Sequence, residues 1–180
     1  MRRVLSFLLG AVAVLLAGSA SAAGSLFDSA SIEYGAGSKV SMVRLGLQSN
    51  WKAPLWRFSE TQIGGYWDFS ASFWHGTRHR GLHASQSLAA IGITPVFRWE
   101  RHDQRGPYGE FGIGAHVLSE LYNNNGDRLS TRFQFGDHIG VGYRWDRVDL
   151  GLKIQHYSNG GIKKPNSGVD FVALRLLYAF

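Results

Sequence analysis

From about residue 29 to the C-terminus the chain alternates apolar and polar positions with a period of two, in stretches separated by clusters of Gly, Asn, Asp, Ser and Pro. The last stretch is the clearest. Val172, Leu174, Leu176, Tyr178 and Phe180 fall on one face, and Ala173, Arg175, Leu177 and Ala179 on the other. The stretch before it behaves alike, with Val148, Leu150, Leu152 and Ile154 opposite Arg147, Asp149, Lys153 and Gln155. Reading the chain this way predicts eight strands, over 29–36, 40–52, 62–74, 86–100, 107–120, 132–145, 147–158 and 169–180. Several exceed the usual soluble strand and suit the roughly 9–11 residues that a tilted strand needs to cross a bilayer.

The predicted fold is all-β, an eight-stranded antiparallel transmembrane β-barrel, with the apolar face outward and the polar face inward. Alternation alone also fits a soluble barrel whose apolar face is inside. Three features favour the membrane. The polar face carries charges that a narrow lumen can bury only as a paired network. Long connections alternate with short ones, and Tyr66, Trp67, Trp74, Trp99, Tyr143 and Trp145 are candidates for interfacial girdles. An even strand count puts both termini on one side, the periplasm. Connections 37–39, 75–85, 121–131 and 159–168 then face the cell exterior, and 53–61, 101–106 and the tight turn at Asp146 the periplasm.

Composition bounds this picture. Met1-Arg2-Arg3, the apolar run Val4 to Ala17 and the Ala20-Ser21-Ala22 site have the pattern of a secretory signal, so residues 1–22 are expected to be cleaved and 23–180 to form the barrel. Cleavage removes two arginines and no acid, which takes the formal charge from +6 to +4. That modest excess suits an anionic partner and gives no indication of nucleic acid. No apolar stretch after the leader is long enough for a transmembrane helix. With 23 Gly, only 4 Pro and no Cys, the chain is built for strands and turns and has no disulfides to rely on. His75, His79 and His83 recur at fours, but in a predicted loop, so no metal and no cofactor are expected. The same basic loop could meet lipopolysaccharide phosphates, or be merely solvated. The sequence leaves the oligomeric state open, a homodimer included.

Candidate chemistry lies in residues 156–170. His156 and Ser158 continue the outward phase of Leu150, Leu152 and Ile154, and Asp170 shares the phase of Val172 to Phe180. Three polar groups thus interrupt two lipid-facing strands at one depth. Ionisable groups in that position are costly and are by default functional candidates. A hydroxyl and an imidazole two residues apart can meet on one face, a carboxylate on the next strand can orient the ring, and Asn159, Gly160 and Gly161 offer backbone N–H groups for an oxyanion. The alternative is that polar residues near a strand end mark only the membrane interface. In strand six Asp137 is the one charged residue on an outer face made by Phe133, Phe135, Ile139, Val141, Tyr143 and Trp145. Pairing across the turn at Asp146 should bring it beside His156 or Ile154, where it would orient the ring or tune it electrostatically.

The run His156-Tyr157-Ser158-Asn159, followed by Lys163, Pro165-Asn166 and Gly168, resembles the lipid A 3-O-deacylases, also called PagL-type enzymes. The resemblance implies that Ser158 is the nucleophile, His156 the general base, Asn159 to Gly161 the oxyanion hole, with Asn166 an auxiliary. It also implies a substrate, lipid A or lipopolysaccharide in the outer leaflet of the outer membrane of a Gram-negative cell, and a product lacking the 3-position hydroxyacyl chain. The family's third residue is usually Glu, whereas the matching position here is Asp170. The terminal Phe180 with its alternating neighbours is similar to the last strand that the outer-membrane assembly machinery recognises. Two other readings fit a small barrel: a non-enzymatic adhesin or structural protein, and a palmitoyl-transferring barrel acting on the same lipid.

Overall fold

The structure, a computed structural model, describes residues 26–77 and 85–180. The proposed leader lies outside these residues, as does most of the basic loop, including His79 and His83. Eight long strands are present: β1 (Ser29–Gly37), β2 (Val40–Asn50), β3 (Thr61–Gly76), β4 (Gln86–Arg101), β5 (Gly106–Leu118), β6 (Phe133–Arg144), β7 (Val148–Ser158) and β8 (Val169–Ala179). Each pairs antiparallel with its sequence neighbours, β1 also pairs with β8, and the sheet therefore closes with no free edge. Closure lets the strands pair their backbone groups with one another all round the wall, the condition for crossing hydrocarbon with β-structure. Strand ends agree with the alternation to within two residues.

Connections at one end are long, apart from a tight turn at Ser38-Lys39; at the other, 102–105 and 145–147 are short turns and 51–60 is a longer segment. Both ends of the barrel chain lie at the short-turn end, where Ser29 pairs with Ala179. Two small additions lie outside the alternation: Trp56–Arg57 pairs with β3, and Asn123–Asn124 forms a hairpin with Asp127–Arg128.

The exterior is apolar, with Ile139, Val141, Leu152, Ile154, Val172 and Leu174 all more than half exposed. The lumen is filled, and two ion clusters occupy its middle and short-turn side. Arg44 bonds Glu33 at 2.7 Å and Asp68, while Lys153 reaches Glu33 at 2.9 Å. Below them Arg98 pairs with Glu110 at 2.8 Å and with Asp149 at 2.9 Å, and Arg175 with Glu110 at 2.8 Å. Tyr108 donates to Asp149 at 2.5 Å and Arg175 donates to the Tyr66 hydroxyl at 2.7 Å. This is the paired network that burial demands, since removing one partner of such a pair costs about 3–5 kcal/mol.

Towards the long-loop end the lumen becomes apolar, closed by Met42, Trp74, Leu118, Tyr122, Leu129, Tyr157 and Phe171. Two girdle assignments are therefore corrected. Trp74 is fully buried here, its ring 4.7 Å from Tyr157 and 5.1 Å from Phe171, and Tyr66 sits in the ion network. Both share the inward parity of Asp68 on β3. The other four aromatics, Trp67, Trp99, Tyr143 and Trp145, are exposed on the outer wall.

Candidate active site

The site begins with a residue that points away from it. Tyr157 is 1% exposed and packs inward against Trp74, Phe171 and His116. Because side chains alternate along a strand, anchoring Tyr157 in the lumen forces His156 and Ser158 onto the outer wall. Phe171, 1% exposed, does the same for Asp170 on β8. The apolar plug is thus what aims the candidate residues.

Cross-strand register then brings the groups together. His156 pairs with Asp170 on one side and with Asp137 on the other. His156 Nδ1 lies 2.6 Å from Asp170 Oδ1, with the His156 side chain 38% exposed and that of Asp170 72% exposed. The shorter Asp thus reaches the ring without lengthening the bond. With Nδ1–H donating to this carboxylate, the neutral ring carries its lone pair on Nε2. Ser158 lies two residues on, about 7 Å along the same outer face, and pairs with Phe135 on β6. Asp137 is half-buried on that wall, and its backbone carbonyl accepts from Gln155 Nε2 at 3.1 Å.

The loop after Ser158 is organised by Asn159, which is fully buried. Its Nδ2 donates to Lys163 O at 2.7 Å, and its Oδ1 accepts from Gly161 N at 3.0 Å. Its own N–H donates to Asn166 Oδ1 at 3.1 Å. Two of the three backbone donors in the Asn159–Gly161 segment are therefore engaged within the loop. Among the described residues the Gly160 N–H is not, and accepting with Oδ1 leaves Asn166 Nδ2 to donate elsewhere.

Gly168 completes the site. Its φ is +76°, and a Cβ there would stand 2.6 Å from His156 Cε1 and 3.3 Å from Nε2. The imidazole thus lies against bare backbone. The motif contains Gly168, but nothing in the sequence alone says that a ring occupies the missing side chain's space. The roles of Tyr157 and Asn159 are hidden in the same way, although Asn-Gly-Gly signals a side-chain-supported turn.

A closed barrel of eight strands with an apolar outer wall defines the class, a membrane β-barrel, and this one carries an imidazole–carboxylate pair and a serine on that wall. The model of the family "Lipid A 3-O-deacylase (PagL)" matches residues 41–179, and the chain belongs to this family of esterases. It is similar to the lipid A deacylase PagL of Bordetella bronchiseptica, 36% identical over 96% of this chain and 95% of the relative. It is also similar to the lipid A deacylase PagL of Pseudomonas aeruginosa, 33% identical over 73% of each. Among solved structures, the outer membrane enzyme PagL superposes with a TM-score of 0.73 at 28% identity, covering 84% of this chain and 99% of that one. The chain is accordingly an outer-membrane enzyme.

Proposed function

We propose that the protein hydrolyses the ester-linked 3-position hydroxyacyl chain of lipid A in the outer leaflet, with Ser158 as nucleophile, His156 as general base and Asp170 as the group that orients it. The observation that carries this reading is the 2.6 Å bond from His156 to Asp170 on the lipid-facing wall, in phase with Ser158. In this mechanism Nε2 takes the hydroxyl proton as Oγ attacks the acyl carbonyl. The resulting imidazolium is stabilised by Asp170 and then protonates the leaving sugar oxygen. Water repeats the sequence on the acyl-enzyme and releases the hydroxy fatty acid.

The oxyanion is held by donors from the Asn159–Gly161 segment, where the Gly160 N–H is the uncommitted amide, together with Asn166 Nδ2. Asp170 takes the orienting position, which leaves Asp137 the second of its two roles, that of a negative charge on the strand across from the ring. Below the site Ile154, Leu152 and Leu150 continue the apolar wall against which the substrate's acyl chains lie. The substrate arrives by diffusion within the leaflet, and a lumen filled with ion pairs and aromatic rings need carry nothing.

Mass spectrometry of lipid A from a Gram-negative host expressing the wild type or Ser158→Ala tests this reading. The wild type should remove one hydroxyacyl chain and the variant none. Unchanged lipid A with the wild type would favour a non-enzymatic barrel, and a gain of palmitate an acyltransferase.

A further inference from the structure

Charge is divided unequally between the two ends of the barrel. Connections at the end bearing Ser158 hold seven Lys and Arg against Glu120 and Asp127, whereas those at the opposite end hold four against three acids. Four of the seven, Arg128, Arg132, Lys163 and Lys164, are exposed on two loops that grip each other. Ser167 N donates to Arg128 O at 3.0 Å, Arg128 N to Ser167 Oγ at 3.2 Å, and Ser130 Oγ to Pro165 O at 2.7 Å. Leu129 also bridges Asn166.

Lys163 is tied closest to the chemistry, because its carbonyl accepts the 2.7 Å bond from Asn159, the residue that follows the nucleophile. Among the described residues the exposed ion pairs are Arg101–Asp103, Arg105–Asp146 and His156–Asp170, so none of the four cations is paired. Residues 1–25 and 78–84 contain no Asp or Glu that could neutralise them. Unpaired cations on loops that bond each other and continue directly from Ser158, at headgroup level, make a site for an anion.

We infer that Lys163 and Lys164 bind the phosphate on C1 of the glucosamine whose 3-position ester is cut, and so select phosphorylated lipid A and set which ester meets Ser158. This rests on the deacylase reading and adds to it the group by which the substrate is recognised. C1 and C3 belong to one ring, so a phosphate held by residues of the loop that follows the serine fixes how that ring presents its acyl chains. Lysine suits the task as a compact charge on a flexible stem, and both partners stay hydrated at the interface.

The test uses the full-length protein in detergent, with lipid A carrying both phosphates and lipid A lacking the one on C1, each followed by mass spectrometry. The wild type should show a kcat/KM about tenfold higher on the doubly phosphorylated lipid, with the preference shrinking as salt rises. The double variant Lys163→Gln, Lys164→Gln should lose most of that preference, chiefly through KM. Heat-dependent mobility on gels verifies that the barrel has assembled. A wild type indifferent to the phosphate, a variant that keeps the preference, or a variant slowed equally on both lipids would each overturn the inference while leaving deacylation intact. A wild type that releases no hydroxyacyl chain from either lipid would refute deacylation and this inference together.

Discussion

Gly168→Ala isolates the contact that holds His156, the proposed base. An added Cβ would stand 2.6 Å from His156 Cε1, where ordinary contact begins near 3.4 Å, so ring and methyl must separate by about 0.8 Å. The ring cannot yield that distance and also keep its 2.6 Å bond to Asp170. Misplacing a reacting group by roughly 1 Å costs on the order of 100-fold in rate, so kcat should fall by about 30- to 100-fold. The φ of +76° adds a backbone cost of about 1–2 kcal/mol for a residue with a Cβ, which lowers stability without touching chemistry. Gly126→Ala separates the two effects. Its φ is +97° and nothing lies near the Cβ it would gain, so it should share the backbone cost and retain near-wild-type turnover. Release of hydroxy fatty acid from lipid A, measured beside thermal unfolding for both variants, gives the comparison. Equal turnover by Gly168→Ala and Gly126→Ala in folded barrels would refute the positioning role.

Asp170→Asn keeps the shape but removes the charge that stabilises the imidazolium, and kcat should drop by about 100-fold or more with assembly unchanged; a drop under threefold would dismiss Asp170. Asp137→Asn removes a neighbouring charge that makes no bond to the ring, so a loss of about tenfold is expected, and an unchanged rate would remove Asp137 from the mechanism. Tyr157→Ala should destabilise the barrel by about 3–5 kcal/mol, because it empties the centre of the apolar plug. Tyr157→Phe should cost less, about 1–2 kcal/mol, since it keeps the ring and loses only the hydroxyl's contacts with Met42 Sδ at 3.9 Å and with Arg44; thermal or urea unfolding in detergent distinguishes the two.

The parts of this architecture that alternation reveals are those the bilayer imposes. Leu150, Leu152 and Ile154 must face lipid, a slip of one residue would bury them, and strand limits and the outward phase of His156, Ser158 and Asp170 follow. Aromatics are less legible because two environments accept them. Trp74 and Tyr66 resemble girdle residues by type, but their parity with Asp68 places them inside, where an apolar plug and an arginine network receive them. The Asn123–Arg128 hairpin has no alternation to betray it, although Asn125-Gly126, both at positive φ, is a strong two-residue turn signal. Gly168, the last residue of the connection before β8, meets an imidazole on β7, and only the folded chain reveals that contact.

Everything proposed for the reaction depends on Ser158 being a nucleophile activated from the outer wall. The direct measurement is covalent trapping: the protein in detergent is treated with a long-chain fluorophosphonate, and the labelled peptide is identified by mass spectrometry. A single adduct on Ser158 is expected, formed rapidly by the wild type and at least 100-fold more slowly by His156→Ala. Labelling at another serine, or labelling of Ser158 at the same rate without His156, would contradict it.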